Sequence, residues 1–336
     1  MKKKILICGA GGFIGGHLVS KFIKESQYDL VCADIKPKEY WFQIFDEAKN
    51  YSLDLKEYEN TLKVTKNVDY IFNFACNMGG MGFIENNKAE CMLSVLVNTN
   101  LLRSAVKNNC QKYFFSSSAC VYNGSKQNQT FISGLKETDA YPADPEDGYG
   151  WEKLFSERMC RHFNEDFGID TRVVRYHNIY GPVGTFDGGR EKAPAALCRK
   201  IILAKKKNLK EIDVWGDGEQ TRSFLYIDGC IQGTLDVFNS NSNEVFNVGS
   251  EEQVSINQMI KIIEDIANYK VNKNYQLDKP KGVRGRSSDN SFIQKQIGWK
   301  HTHTLKEGLL KTYNWISNQI ESGTNISKFS KSSIEK

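Results

Sequence analysis

The sequence predicts an α/β fold, a Rossmann-type doubly wound parallel sheet with a smaller C-terminal α/β lobe. Three observations lead to this prediction. Short apolar segments alternate with segments of helical spacing. A glycine-rich string lies between the first apolar segment and the first helical one, and an acidic residue ends the second apolar segment. The length of 336 residues also exceeds that of a usual single domain, so we expect two lobes or one large α/β domain with insertions.

The alternation is clearest in the first half of the chain. Residues 3–8 form an apolar run that predicts a strand buried on both faces, and residues 13–24 have helical spacing. The pattern then predicts strands at 29–34, 68–75, 112–116 and 170–176, and helices at 95–107, 149–167, 193–203, 254–267 and 305–320. Gly168 is a C-cap signal for the helix that precedes it. Such alternation is typical of a parallel sheet with helices on both faces.

The same pattern predicts how the lobes divide the chain. Residues 1–176 form a dinucleotide-binding Rossmann domain, to which a segment at about 223–250 returns. Residues 177–222 and 251–320 form the second lobe. The segment 321–336 is polar and rich in Ser and Lys, so we predict a disordered tail.

Composition excludes several classes of protein. The chain has 45 basic and 40 acidic residues, which gives a net charge of +5. This excess is mild and the lysine-rich spots are scattered, so we expect no nucleic-acid partner. The nine cysteines include no Cys-x-x-Cys pair and no zinc-like spacing, so we expect no metal site and a reducing, cytoplasmic location. The apolar start is too short for a signal peptide or a membrane span, so we expect no membrane partner.

A dinucleotide site is predicted where the first strand meets the first helix. Gly9, Gly12 and Gly15 allow a tight turn, a close approach to a pyrophosphate, and packing of the helix on the sheet. Phe13 and Ile14 begin the helix, whose N-terminal N–H groups and dipole favour phosphate.

Two acidic residues complete this prediction. Asp34 ends the second strand, at about the 20-residue offset expected for a carboxylate that binds a ribose diol. A carboxylate there repels a 2′-phosphate, which favours NAD over NADP. Asp54 either hydrogen-bonds the adenine amino group or is a solvated turn residue.

A second pattern indicates redox chemistry. Tyr149 and Lys153 are one helical turn apart and project to the same face. A tyrosine acts as a base near neutral pH only if its phenolate is stabilised, and Lys153 together with an oxidised nicotinamide would lower its pKa. The run from Ser116 to Cys120 follows a predicted strand, so Ser118 and Cys120 can lie beside this pair.

These residues resemble the extended short-chain dehydrogenase/reductase superfamily acting on nucleotide sugars, and more narrowly the GDP-mannose 3,5-epimerase family. The likeness runs from residue 5 to about 320. Its broader stretches are 117–120, 177–182, 215–218, 220–224 and 282–286. The narrow ones are Met-Gly-Gly-Met-Gly at 78–82 and Gly-Gly-Arg-Glu-Lys-Ala-Pro at 188–194.

The resemblance implies an epimerase that uses NAD catalytically on a GDP-hexose, most readily GDP-mannose. Oxidation at C4 makes the C3 and C5 protons acidic. Tyr149 is then the base for the C4 hydroxyl, and Ser118 binds the same oxygen. In this family a cysteine and a lysine exchange the ring protons on opposite faces of the sugar, and they match Cys120 and Lys192.

The resemblance also supplies substrate contacts and an assembly. Arg222 and Arg286 match residues near the nucleotide or diphosphate. The other matching positions are Gly79, Ala119, Asn178, Glu191, Ala193, Lys200, Gln220 and Thr221. As plain sequence, Arg190, Arg222 and Arg286 could equally be surface charges. By analogy with the superfamily we expect a homodimer.

Other functions stay open at this point. The chain departs from the family pattern at Asn123-Gly124-Ser125 and at 205–210, both near the expected cleft. One alternative is a nucleotide-sugar 4-epimerase or 4,6-dehydratase, although a dehydratase normally has acidic residues where Ala119 and Cys120 stand. The other is a non-catalytic NAD-binding scaffold, which would have no need for Tyr149, Lys153, Cys120 and Lys192 together.

Overall fold

A computed structural model describes residues 2–323 and 328–329. The first part of the chain alternates strands and helices: β1 Lys3–Cys8, α1 Phe13–Glu25, β2 Tyr28–Asp34, β3 Lys49–Ser52, α2 Tyr58–Thr65, β4 Tyr70–Asn73, α3 Met81–Asn86, α4 Lys88–Met92, α5 Ser94–Lys107, β5 Lys112–Ser118, α6 Asp147–Phe167 and β6 Asp170–Tyr176. The apolar runs have become strands and the segments of 3.6-residue spacing have become helices.

The second part mixes short strands and helices: β7 Ile179–Tyr180, α7 Ala193–Lys206, β8 Glu211–Trp215, β9 Thr221–Ser223, β10 Leu225–Tyr226, α8 Ile227–Asn239, β11 Val245–Val248, β12 Gln253–Ser255, α9 Ile256–Ala267, β13 Asn272–Gln276, β14 Gly285–Arg286, α10 Ser291–Ile297 and α11 Leu305–Ser322.

The central sheet has seven parallel strands in the order β3-β2-β1-β4-β5-β6-β11. Alternate residues of β1 face opposite cores. Ile5 and Ile7 pack with α1 and α8, whereas Leu6 and Cys8 pack with α2, α5 and α6. Helices therefore cover both faces, which confirms the predicted doubly wound Rossmann-type fold.

Three small sheets lie outside the central one: β12-β9-β14, β13-β8 and β10-β7. Helices α7, α9 and α11 pack together beside them. The apolar core is continuous from the central sheet into these helices, through residues such as Ile201, Met259 and Leu309. Strand β11 belongs to the segment 223–250 that was predicted to return to the Rossmann domain, and it lies in the central sheet. The exact lobe boundaries stay predictions.

The predicted tail needs a correction at its described residues. Helix α11 extends to Ser322, beyond the predicted end at 320. Phe329 is buried against Phe42, Phe186 and Trp315, and its carbonyl accepts from the Phe186 N–H (3.1 Å). An aromatic side chain gains free energy by leaving water, so this position is not frayed. Residues 324–327 and 330–336 of the predicted tail lie outside the described residues.

Candidate active site

The loop between β1 and α1 is shaped by glycine. Gly9 has a φ of +77°, and a Cβ there would lie 2.9 Å from the carbonyl carbon of Phe74. A Cβ on Gly15 would lie 2.3 Å from the oxygen of Gly9. Gly12 is the N-cap of α1, and Phe13 and Ile14 form its first turn. The loop is thus a tight cradle at a helix N-terminus, a geometry that binds phosphate.

Asp34 lies beside this cradle, at the end of β2. Its buried carboxylate accepts from the N–H groups of Gly11 (3.0 Å) and Lys36 (3.0 Å). Burial raises the pKa of Asp34, and Lys36 opposes that shift. Each oxygen keeps acceptor capacity, so the carboxylate can also bind a ribose diol. The cradle and Asp34 together fit the adenosine and pyrophosphate of NAD.

Asp54 lies in the turn before α2 and is partly exposed. Its carboxylate accepts from the Lys56 N–H (2.8 Å), and Lys56 Nζ is 3.7 Å from its second oxygen. The turn is held next to Asp34 by the Leu53 N–H, which donates to the Asp34 carbonyl (2.9 Å). The adenine contact of Asp54 stays a prediction.

Cys120 and Tyr149 meet where β5 ends and α6 begins. A short 3₁₀ turn over Ala119–Val121 follows β5, and its N–H at Cys120 donates to Ser118 Oγ (3.2 Å). Cys120 and Tyr149 belong to one buried cluster. The approach depends on Gly150, because a Cβ there would lie 2.3 Å from the carbonyl oxygen of Cys120.

The electrostatics around Tyr149 differ in part from expectation. Burial raises the pKa of Tyr149 well above its usual value, Cys76 and Cys120 add to the shift, and the hydrogen bond with Ser118 opposes it. Lys153 Nζ lies 5.6 Å from the centre of the phenol ring but is paired with Glu152 (3.5 Å). Part of its charge is thereby compensated. The predicted lowering of the Tyr149 pKa therefore has to come mainly from the charge of oxidised nicotinamide.

Lys153 itself is completely buried. Burial alone lowers its pKa, but Cys76 and Glu152 outweigh that effect, so the pKa of Lys153 is raised. The ammonium also lies 4.8 Å from the centre of the Phe115 ring, a cation–π distance. Lys153 is therefore a fixed positive charge beside Tyr149.

The thiol of Cys120 is in contact with an ion pair. Arg286 Nη1 donates to Cys120 Sγ (3.5 Å), and Arg286 Nη2 donates to Glu146 (2.9 Å). Burial raises the pKa of Cys120 to about 11, Glu146 adds to the shift, and Arg286 opposes it. The Glu146 N–H also donates to the Cys120 carbonyl (2.8 Å). The thiol is thus protonated at rest, next to a cation that favours its thiolate.

Lys192 lies at the start of α7, close enough for its charge to interact with Cys120 and Arg286. It is the N-cap residue of α7, with Ala193 and Pro194 beginning the helix. Burial lowers the pKa of Lys192, Cys120 opposes that shift, and Arg286 adds to it. A lowered lysine pKa is the direction that proton exchange near neutral pH requires.

Two buried arginines stand side by side near Cys120. Strands β9 and β14 are parallel, and their register places Arg222 opposite Arg286. Burial lowers the pKa of Arg222 to about 10, and the charge of Arg286 adds to that shift. Glu146 forms the described ion pair with Arg286, whereas Arg222 donates to the carbonyls of Thr221 (2.7 Å) and Lys281 (3.2 Å). The excess positive charge suits the oxygens of a diphosphate.

The other predicted substrate residues are buried or make contacts within the protein. Asn178 donates to the Ser223 carbonyl (3.0 Å), and Lys200 donates to the Asp213 carbonyl (2.7 Å). Gln220 has a buried side-chain oxygen without a partner among the described residues, as a ligand contact would have before binding. The remaining positions are buried or partly buried: Gly79, Ala119, Glu191 and Ala193.

Thr221 is engaged mainly within the protein, and its predicted substrate contact stays a prediction. Its hydroxyl donates to the Thr130 carbonyl and accepts from Gln253 (2.7 Å), and its own carbonyl accepts from Arg222. Its N–H donates to the Arg284 carbonyl (3.0 Å). Every polar group of Thr221 is engaged within the protein, because β9 is a central strand. The residue supports Arg222 and offers no free donor to a substrate, whereas its hydroxyl and carbonyl oxygens keep acceptor capacity.

Three side chains near the site were not predicted from the sequence: Cys76, Glu146 and Glu152. Glu152 could have been predicted, because it precedes Lys153 in the Tyr-x-x-x-Lys pattern. Glu146 and Cys76 carry no local signal. Only the tertiary structure places Glu146 beside Arg286, which is 140 residues away in sequence.

Within residues 2–323 and 328–329, no helix is long and apolar enough to cross a membrane. The same part of the chain holds no group of three or more His, Cys, Asp or Glu side chains placed to bind a metal ion.

Comparison with known proteins agrees with this geometry. Residues 5–249 match the model of the NAD dependent epimerase/dehydratase family. The chain is 45% identical over 321 residues to GDP-mannose 3,5-epimerase 1 of Oryza sativa subsp. indica, covering 95% of this chain and 83% of that protein. It is 43% identical to GDP-mannose 3,5-epimerase of Arabidopsis thaliana, covering 98% and 88%.

Solved structures extend the comparison. The UDP-glucuronic acid 4-epimerase of Bacillus cereus, solved with UDP-glucuronic acid and NAD, superposes with a TM-score of 0.79 at 26% identity, covering 94% of this chain and 99% of that chain. The UDP-glucose 4-epimerase of Thermotoga maritima gives a TM-score of 0.85 at 24% identity, which shows the shared fold. The chain therefore belongs to the NAD-dependent epimerase/dehydratase family and, within it, to the group of GDP-mannose 3,5-epimerases.

Proposed function

We propose that this protein epimerises GDP-mannose at C3 and C5, giving GDP-L-galactose and, when only C5 inverts, GDP-L-gulose. The observation that carries the proposal is the position of the Cys120 thiol. It lies in one buried cluster with Tyr149 and accepts a hydrogen bond from Arg286, and the charge of Lys192 interacts with it. The similarity to the plant epimerases supports the choice of substrate.

The first step needs a base at the C4 hydroxyl. Bound NAD supplies the chemistry of this step by accepting a hydride from C4 and later returning it. Tyr149 takes the hydroxyl proton, and Ser118 hydrogen-bonds the same oxygen. Lys153 holds a fixed charge beside the phenol. The cradle from Gly9 to Gly15 and Asp34 hold the dinucleotide.

Exchange of the ring protons follows from the acidity that a C4 ketone confers on C3 and C5. In the mannose chair the hydrogens at C3 and C5 are both axial and point to the same face. One group on that face removes a proton, and a group on the other face returns one with inverted configuration. We assign these two roles to Cys120 and Lys192, and the hydrogen bond from Arg286 favours the thiolate form of Cys120.

In this proposal, positively charged side chains bind the nucleotide end of the substrate. Arg222 and Arg286 bind the diphosphate, with contacts from Asn178, Lys200 and Gln220 to the rest of the ligand. Binding energy from this remote part of the substrate orients the sugar between Cys120 and Lys192.

The alternatives make different predictions about Cys120. A 4,6-dehydratase needs an acid to expel the C6 hydroxyl, and the Ala119–Cys120 pair offers none. A simple 4-epimerase needs no group that exchanges the protons at C3 and C5. A non-catalytic scaffold needs neither the buried ion pair at Lys153 nor the contact of Arg286 with the thiol.

One experiment separates these functions. The protein is incubated with GDP-mannose in deuterated water without added reductant, and the sugar is followed by NMR. We expect deuterium at C3 and C5 with the C6 oxygen retained. A 4-keto-6-deoxy product would establish a dehydratase, inversion at C4 without deuterium a 4-epimerase, and an unchanged sugar a scaffold.

We also propose that the protein is a homodimer in the cytoplasm. Five large apolar side chains are exposed where α4, α5 and α6 pack together: Met92, Leu93, Leu96, Trp151 and Phe155. A contiguous apolar face of this kind is typical of a protein–protein interface. Nine cysteines without a disulfide support a reducing compartment.

A further inference from the structure

Lys192 begins α7, where its carbonyl accepts from the Ala196 N–H (3.0 Å), and a glycine-containing loop leads into it. Residues 186–191 (the lysine loop) lie between β7 and α7, and Gly188 and Gly189 in the loop have φ values of +91° and +92°. Glycines in this region leave the backbone many alternatives. Contacts outside the loop therefore help to fix the path of the chain into Lys192.

Arg190 makes the contacts that do so. Its Nη1 donates to Asn77 Oδ1 (2.9 Å) and to the Met78 carbonyl (3.2 Å). Its guanidinium lies 3.8 Å from the centre of the Phe83 ring. All three partners belong to residues 77–83 (the methionine–glycine segment), which follows β4. A planar guanidinium that stacks and donates at once is held in one orientation.

The backbones of the two segments also touch. The Gly80 N–H donates to the Arg190 carbonyl (3.1 Å), and a Cβ on Gly80 would lie 2.4 Å from the carbonyl oxygen of Glu191. Only glycine allows this approach. The lysine loop and the methionine–glycine segment are thus joined by side-chain and backbone contacts two residues before Lys192.

The methionine–glycine segment is in turn part of the catalytic cluster. Phe83 packs against the buried cluster that contains Cys120 and Tyr149. The Asn77 N–H donates to Ser94 Oγ at the start of α5 (2.9 Å), which fixes the segment on the Rossmann side. Arg190 therefore links the group on the second lobe to the groups on the first.

Arg199 fixes the other side of the lysine loop. It lies on α7, donates to the Phe186 carbonyl (2.8 Å) and pairs with Asp187 (3.2 Å) and Glu191 (3.5 Å). These contacts hold the loop to its own lobe. They do not set its distance from Cys120, because none of them reaches the Rossmann side.

We infer that Arg190 is a positioning residue that sets the place of Lys192 relative to the sugar. The inference rests on the proposed function. It predicts a selective defect, since Tyr149, Lys153 and Ser118 lie on elements that Arg190 does not carry. Proton exchange at C3 and C5 should suffer while oxidation at C4 is retained.

The test compares Arg190→Met with wild type in two assays. Arg190→Met keeps the stem length and loses the forked donors and the charge. Deuterium incorporation at C3 and C5 should fall by about 10²-fold, the usual effect of a displacement of about 1 Å at a reacting group. The absorbance of reduced nicotinamide on mixing with GDP-mannose should stay within about threefold of wild type, because C4 oxidation needs no lysine from the second lobe.

Arg103→Met is the matched control. Its guanidinium also stacks on an aromatic ring, 4.2 Å from the centre of Tyr58, but it lies on α5 away from the cluster. Both assays should be unchanged in it. A second variant, Arg190→Lys, keeps the charge but removes the forked guanidinium, so it tests the hydrogen bonds and the stacking separately from the charge. It should show the same selective loss, which also protects the test if Arg190→Met folds poorly.

Three results would overturn the inference. Exchange at the wild-type rate in both Arg190 variants would show that the contacts are dispensable. A parallel loss of exchange and C4 oxidation would show a general structural role. If wild type and Arg103→Met exchange no ring protons, the proposed function itself fails and the inference with it.

Discussion

We assign the exchange of the ring protons to Cys120, although eight other cysteines share the chain. Its contacts with Ser118, Glu146 and Arg286 distinguish it. In the proposed mechanism the thiol acts only after C4 has been oxidised, so its removal should separate the two halves of the reaction.

Cys120→Ala should lower deuterium exchange at C3 and C5 by about 10²-fold or more, the usual contribution of a positioned acid or base. C4 oxidation should persist, because Tyr149 and Lys153 are untouched. NMR of the sugar and the absorbance of reduced nicotinamide measure the two halves. The buried Cys198→Ala, within the apolar core, is the control. Exchange at the wild-type rate in Cys120→Ala would remove the thiol from the mechanism.

Glu146 affects the pKa of the Cys120 thiol. It adds to the raised pKa of Cys120, whereas Arg286 opposes the shift. Replacing the carboxylate by an amide removes a cause that raises the pKa, so the pKa of Cys120 should fall. In Glu146→Gln the rising limb of the exchange rate against pH should therefore move to lower pH. A limb that moves to higher pH would contradict the assignment.

At the scale of elements, glycine decides how closely the loops can approach. Gly9 and Gly168 both have positive φ, +77° and +72°. A Cβ on Gly9 would meet the Phe74 backbone at 2.9 Å, whereas a Cβ on Gly168 meets nothing within 4 Å. An alanine at either position would have a strained left-handed backbone, but only at position 9 would its Cβ also clash with another backbone segment.

Gly9→Ala should therefore lose NAD affinity as well as stability, because the cradle has to open to admit the new methyl group. Gly168→Ala should cost about 1 kcal/mol of unfolding free energy from left-handed strain alone and leave NAD affinity unchanged. Calorimetric titration with NAD and urea unfolding measure these effects. Equal NAD affinity in both variants would mean that the close approach at Gly9 is unimportant.

Sequence periodicity located the long helices well and the short elements poorly. It predicted a helix at 305–320, and α11 spans Leu305–Ser322. It did not predict β3, whose four residues Lys49–Ser52 are polar or half-buried because the strand lies at the sheet edge. Strand β12 was assigned to the helix that follows it, since a three-residue strand is too short to show a period of two.

At the scale of the whole molecule, the exposed apolar face on α4 to α6 predicts the assembly. Phe155→Glu places a charge in that face and should convert a dimer to a monomer, measured by light scattering on a sizing column. Leu209→Glu changes an equally exposed apolar residue far from the face, 51% against 55% exposed, and should leave the mass unchanged. A monomeric wild type would refute the proposed dimer.

The sequence by itself determined the fold class, the NAD cradle and the Tyr149–Lys153 pair. Each of these depends on residues close together in the chain, so spacing alone reveals it. Only the tertiary structure decided what surrounds Cys120. Arg286 reaches the thiol across 166 residues of sequence, and Arg190 reaches Asn77 across 113. Such contacts arise from the pairing of β9 with β14 and from the packing of the second lobe against the first, which no local pattern records.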